Sequence, residues 1–220
     1  MSGSSLQIQN KTPPCKTSRT PSKTSPHTSP LTASQPCPYD SCRLLAINLY
    51  SYVKNPFTPE AEFDFELFRR HVQLAQRLMD DIIDLEQEKI DRILEKIASD
   101  PQSDEVKATE RTLWEKIRRR TGQGRRTGVG ITAEGDMLAA LGLRYGTQEA
   151  LDFAVEVQKT LALSAYRSSV TMAQERGAFE VFDAEREKNN PFMLRIKDAD
   201  PQLYADMAQH GSTCSALASS

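Results

Sequence analysis

The chain has 220 residues, of which 38% are apolar and 26% charged, with a formal net charge of -2; that length suits one domain or a small domain with a tail. So small a net charge creates no general field for nucleic acid or an anionic membrane. No stretch nears the roughly 20 consecutive apolar residues of a membrane helix or carries the apolar core of a secretory signal, so the expectation is a cytoplasmic protein with no membrane partner and no direct nucleic-acid partner.

Residues 1–38 are rich in Ser, Thr and Pro, with Lys11, Lys16, Arg19 and Lys23 and no acid. Proline removes backbone donors, and few large apolar side chains offset the entropy of ordering. A disordered tail is expected, either inert or a basic binding arm. The folded part is expected over 39–211, with 212–220 a second unstructured tail. Cys15, Cys37, Cys42 and Cys214 lack zinc-ribbon spacing; in a reducing compartment they are expected as free thiols unless two serve a redox reaction.

In chain order, Leu44, Leu45, Ala46, Ile47, Leu49, Tyr50 and Val53 predict a short buried strand. Asn55, Pro56 and Pro59 end it, and Thr58 is the expected cap of a helix with Pro59 in its first turn. Phe68, Val72, Ala75, Met79, Ile82 and Ile83, then Ile90, Ile93, Leu94 and Ile97, recur at helical spacing over about 63–98, with a bend or break expected near 84–88. After the turn at Asp100, Pro101 and Ser103, a second helix carries Leu113, Trp114 and Ile117 to the arginines at 118–120. A strand is expected at Val129–Thr132. A third helix follows from Ala150 and stops at Gly177, a residue that ends helices readily. High helical content is expected overall.

Two clusters invite chemistry. Arg118 to Gly130 combines arginines with four glycines, a composition for phosphate, yet it lacks the P-loop ending and the dinucleotide fingerprint. The structural alternative is that its glycines permit tight passage into a strand while its arginines pair with acids. RNA binding through this patch lacks interleaved aromatic residues. Asp80, Asp81, Asp84 and Glu88 can share a helix face as a carboxylate metal site, but no Glu-x-x-His pair accompanies them, and no metal is expected. His71 reads as a surface histidine.

The run Cys37-Pro-Tyr-Asp-Ser-Cys-Arg-Leu-Leu-Ala-Ile-Asn-Leu-Tyr-Ser-Tyr-Val53 resembles the segment after the active-site finger loop of adenosylcobalamin-dependent, class II ribonucleotide reductases. The likeness continues through Asn55-Pro-Phe-Thr58, Asp64, Asp80-Asp-Ile-Ile-Asp84, Arg125-Arg-Thr-Gly-Val-Gly-Ile-Thr132 and Ala173-Gln-Glu-Arg-Gly177, covering about residues 37–211. The resemblance implies a helix-rich α/β fold that is part of a ten-stranded α/β barrel. It also implies an oxidoreductase that makes deoxyribonucleotides for DNA synthesis, with adenosylcobalamin as cofactor and a ribonucleotide and a dithiol reductant as partners. Cys42 matches one cysteine of the family's reducing pair. Its partner comes from far upstream in the family, and here the tail offers Cys15 in its place.

The family's Asn-Pro-Cys-Gly-Glu finger falls at Ser29–Ala33, so Leu31 and Ala33 stand where the thiyl cysteine and catalytic glutamate belong. Leucine forms no thiyl radical and alanine exchanges no proton, so loss of catalysis is expected. After His210-Gly211 the likeness stops before the family's Pro-Thr-Gly-Thr loop. A gene fragment or frameshift product is therefore expected, self-associating through exposed barrel edges. Cobalamin- and substrate-binding residues are not assigned. Two other readings stand beside this one: a non-enzymatic helical interaction protein and a nucleotide-phosphate-binding module.

Overall fold

A computed structural model describes residues 39–213. The expected tail at 1–38, including Cys15, Leu31, Ala33 and Cys37, lies outside the described residues, as does Cys214.

Strand β1 (Arg43–Asn48) pairs in parallel with β4 (Thr127–Thr132), in register from Arg43 opposite Thr127 to Asn48 opposite Thr132. The apolar run predicted as one strand to Val53 is split. The Asn48 side chain accepts the Tyr50 N–H at 3.1 Å and starts a 3-10 turn at Leu49–Tyr52, because a short amide side chain competes with the sheet for backbone donors. Nor is β1 buried on both faces. Arg43 and Ile47 are covered, whereas Leu44 is 76% exposed, since successive side chains of a strand point to opposite sides. A small antiparallel pair follows, β2 (Val53–Lys54) with β3 (Glu62–Phe63).

Thr58 does not cap the first helix; its hydroxyl donates to the Asn55 carbonyl at 2.8 Å within the loop. Asp64 takes that role, accepting the Leu67 N–H at 2.9 Å, and α1 (Phe65–Ser99) runs unbroken through the expected bend at 84–88. Its continuity follows from an apolar stripe that never lapses, with Phe68, Val72, Ile83 and Ile90 all at most 2% exposed. Burial of each such side chain contributes about 1.5–3 kcal/mol. The next helix, α2 (Asp104–Gly124), doubles back along the second half of α1, carries the three arginines past 120 and ends at Arg125 in the left-handed region, φ 40°.

Beyond β4 come α3 (Glu134–Ala140) and the long α4 (Gln148–Arg176), which starts at the Thr147 cap and stops at Gly177. Three short helices complete the described chain: α5 (Ala184–Glu187), α6 (Pro191–Ala199) and α7 (Pro201–His210). Helices α1 and α4 pack together and α1 also lies against the β1–β4 pair. The main core gathers Ile47, Leu49, Phe68, Val129, Met137 and Leu161; a smaller one gathers Val170, Met193, Ile196, Leu203 and Met207. The packed chain extends past Gly211, for Ser212 and Thr213 are both 2% exposed and reach Ser169 of α4. The fold is helix-rich α/β, and no helix among the described residues is long and apolar enough to cross a membrane.

Candidate active site

Cys42 immediately precedes β1, and its thiol is exposed. By the alternation of a strand, Cys42, Leu44 and Ala46 share one side of the sheet, opposite the side that Arg43 and Ile47 press onto the helices. The residue is held by its neighbours. The Arg43 N–H donates to the Arg126 carbonyl at 3.3 Å, extending the ladder between the strands. The Arg43 guanidinium donates to the Ser41 carbonyl at 2.9 Å and to the Glu86 carboxylate, while Arg126 pairs with Asp40 at 2.6 Å. Desolvation against this flank pushes the Cys42 thiol above its ordinary range, with Arg43 and Arg126 pulling it back. At neutral pH the group is therefore a thiol, able to give a hydrogen atom or, once deprotonated, to exchange with a disulfide.

A second polar centre ties three elements together behind the sheet. Asp80 of α1 is fully buried and accepts from Arg125 Nε at 2.9 Å and Arg176 Nη1 at 3.2 Å. Arg125 reaches Asp84 at 2.7 Å, and Arg176 reaches Asp81 at 2.7 Å. Burial pushes the Asp80 carboxyl up despite the Arg125 hydrogen bond. Arg125, less deeply covered and served by two carboxylates, is held protonated more firmly than usual although burial opposes it. The difference between the two partners follows from Asp80 being wholly enclosed while Asp84 is half exposed.

These pairings favour the structural reading of the arginine-glycine run. Arg118 pairs with Asp91 at 2.6 Å, Arg125 with Asp80 and Asp84, and Arg126 with Asp40, so three of its five arginines pair with acids as in the structural alternative. Gly124 ends α2 and residues 127–132 form β4, so the run is a helix end and a strand. Asp80, Asp81 and Asp84 face guanidinium groups, and Glu88 stands apart and exposed. His71 is exposed and hydrogen bonds the Tyr52 hydroxyl at 3.1 Å. Sequence reasoning missed Asp40, Glu86 and Thr121 as partners of the residues around Cys42. Asp40 stood within the quoted Cys37–Val53 motif, whereas Glu86 and Thr121 meet Arg43 only through the packing of α1 and α2.

A family model described as the ribonucleotide reductase barrel domain matches residues 14–217. A vitamin B12-dependent ribonucleoside-diphosphate reductase of Thermoplasma acidophilum is 30% identical over 152 residues, covering 69% of this chain and 16% of that protein. One from Mycobacterium tuberculosis is 26% identical over 160 residues, covering 70% and 19%. A ribonucleoside-diphosphate reductase subunit alpha of Chlamydia pneumoniae is 24% identical over 145 residues, covering 66% and 11%. The chain thus spans less than a fifth of the length of these curated relatives. With most of its length matched, from before the described strands to beyond α7, the chain belongs to the ribonucleotide reductase barrel-domain family.

Proposed function

We propose that the chain forms part of the catalytic barrel of a vitamin B12-dependent ribonucleotide reductase, which converts ribonucleotides to deoxyribonucleotides for DNA synthesis in the cytoplasm. Cys42 is one of its two reducing cysteines. The observation that carries this reading is the position of Cys42: an exposed thiol on the bare side of the β1–β4 pair, in line with Leu44 and Ala46. A closed ten-stranded barrel turns that side inward, toward substrate, while α1 and α4 cover the outside. In the reductive step two cysteine thiols become a disulfide, supplying two electrons and two protons as the ribose 2′-hydroxyl leaves as water. A dithiol reductant then restores the pair by exchange.

Adenosylcobalamin supplies the radical in such reductases. Five cavities among the described residues measure 180 to 560 Å³, within or below the roughly 300–1,000 Å³ of sites for drug-sized ligands; a corrinoid bearing its nucleoside is larger, and none of these five fits it. No step is assigned to it here. Leu31 and Ala33, at the finger positions, carry neither a thiol nor an exchangeable proton, so the chain by itself gives no deoxynucleotide.

The first test incubates purified chain with adenosylcobalamin, a dithiol and each ribonucleoside di- or triphosphate; deoxynucleotide product overturns the inactive reading. The second grafts residues 37–211 into the matching segment of the Thermoplasma relative. The chimera is expected to reduce ribonucleotides, and Cys42→Ser within it to abolish turnover. A Cys42→Ser chimera as active as its parent refutes the role of Cys42.

A further inference from the structure

Cys42 stands one place ahead of the paired register of β1 and β4. Arg43 lies opposite Thr127 in these two parallel strands, so Arg126 lies opposite Cys42. Arg126 grips the chain on both sides of that cysteine. Its carbonyl takes the Arg43 N–H at 3.3 Å, and its guanidinium reaches the Asp40 carboxylate at 2.6 Å. The same carboxylate accepts the Ser41 N–H at 2.9 Å through its other oxygen. Ser41 is held at its carbonyl as well, by the Arg43 guanidinium, which Glu86 of α1 and Thr121 of α2 anchor in turn.

The residues before and after Cys42 are thus fixed while its own thiol stays exposed. The Asp40 and Arg126 side chains are only 5% and 19% exposed, so water screens their attraction poorly. The pair acts on the one segment whose displacement carries the sulfur with it.

We propose that Asp40 and Arg126 are positioning residues for the reductive step, their ion pair holding residues 40–43 against β4 so that the Cys42 sulfur keeps its place as its disulfide closes and reopens. This role rests on the reading of Cys42 as a reducing cysteine. The two charges also bear on the thiol directly. Arg43 and Arg126 favour its thiolate, and Asp40 opposes it. Glu86, facing Arg43 from α1, tempers that cation, and α2 presents the neutral Thr121 hydroxyl. The two members of one ion pair therefore act on Cys42 with opposite sign. A pair that only fastened the sheet has the same effect whichever member is removed.

The test follows alkylation of Cys42 in the full chain against pH, peptide by peptide. At neutral pH, Arg126→Gln is expected to slow it about threefold and Asp40→Asn to quicken it about threefold, a modest effect because the thiol is open to water. The double variant returns near the parent rate, and Arg126→Lys, which keeps the charge, stays close to it. Single variants that both quicken alkylation reveal no more than a loosened segment and overturn the proposal. In the graft into the Thermoplasma relative, Arg126→Gln is expected to lower kcat about tenfold to a hundredfold with KM for the ribonucleotide unchanged. An unchanged kcat, or a loss confined to KM, overturns it as well. Failure of the redox reading shows differently: a Cys42→Ser graft then turns over like its parent, whereas opposed alkylation rates still tie the pair to the thiol.

Discussion

Asp80 joins three elements at one side chain, because two guanidinium groups from separate elements converge on its fully buried carboxylate. Asp80→Ala is expected to cost about 3 kcal/mol in urea unfolding, the lower end for a broken buried pair, since Arg125 keeps Asp84. The pH dependence has a definite sign. The folded chain holds the Asp80 proton more tightly than the unfolded chain, so this group favours folding in acid. Its contribution is lost as pH rises from the ordinary carboxylate range to the raised folded value. Urea midpoints across that interval are expected to carry a falling component in the parent that Asp80→Asn lacks. Cys42 shifts in the same direction for a related reason. Its alkylation, followed peptide by peptide, is expected to rise with pH later than that of an unstructured cysteine; alkylation as fast at neutral pH as in a denatured control contradicts the desolvated flank.

Among the elements, the junction after α7 tolerates little change. Gly211 has φ 79°, and a Cβ placed there meets the Ala178 Cβ at 2.5 Å, so Gly211→Ala combines left-handed strain with a clash against the chain that leaves α4. A loss of about 1–3 kcal/mol is expected, read as a lowered melting temperature. How far the sequence revealed these elements depended on their length. Helices α1 and α4 were legible because their apolar positions repeat over many turns, and Gly177 marked a stop. The short α3, α5, α6 and α7 offered too few turns for periodicity to speak, although Asn190-Pro191 and Asp200-Pro201 carried the cap and first-turn signals of α6 and α7. The break at Asn48 was hidden inside an apolar run, because one side-chain hydrogen bond decided it. At the site, Cys42 was reached through resemblance. Its arginine and carboxylate neighbours were not, since Asp40 and Arg126 meet only once β1 and β4 have paired.

At the scale of the molecule, two apolar clusters of unequal size share α4. The larger joins sheet, α1 and α3, and the smaller rests on Val170 with α6 and α7. Local opening follows the smaller store of buried surface. Amide hydrogens of α6 and α7 are expected to exchange well before those of β4 and the middle of α1 in native-state exchange; equal protection in both regions contradicts two separable clusters. The parallel β1–β4 pair adds a demand on the time course of folding. Arg43 can meet Thr127 only after the chain between them has been gathered up, and the entropy of closing so long a loop must be met before any ladder bond forms. The α1–α2 hairpin, local in sequence, shortens that loop when it forms first. Ile90→Ala, inside the hairpin, is then expected to slow refolding, whereas Val129→Ala, in the late-forming strand, chiefly hastens unfolding.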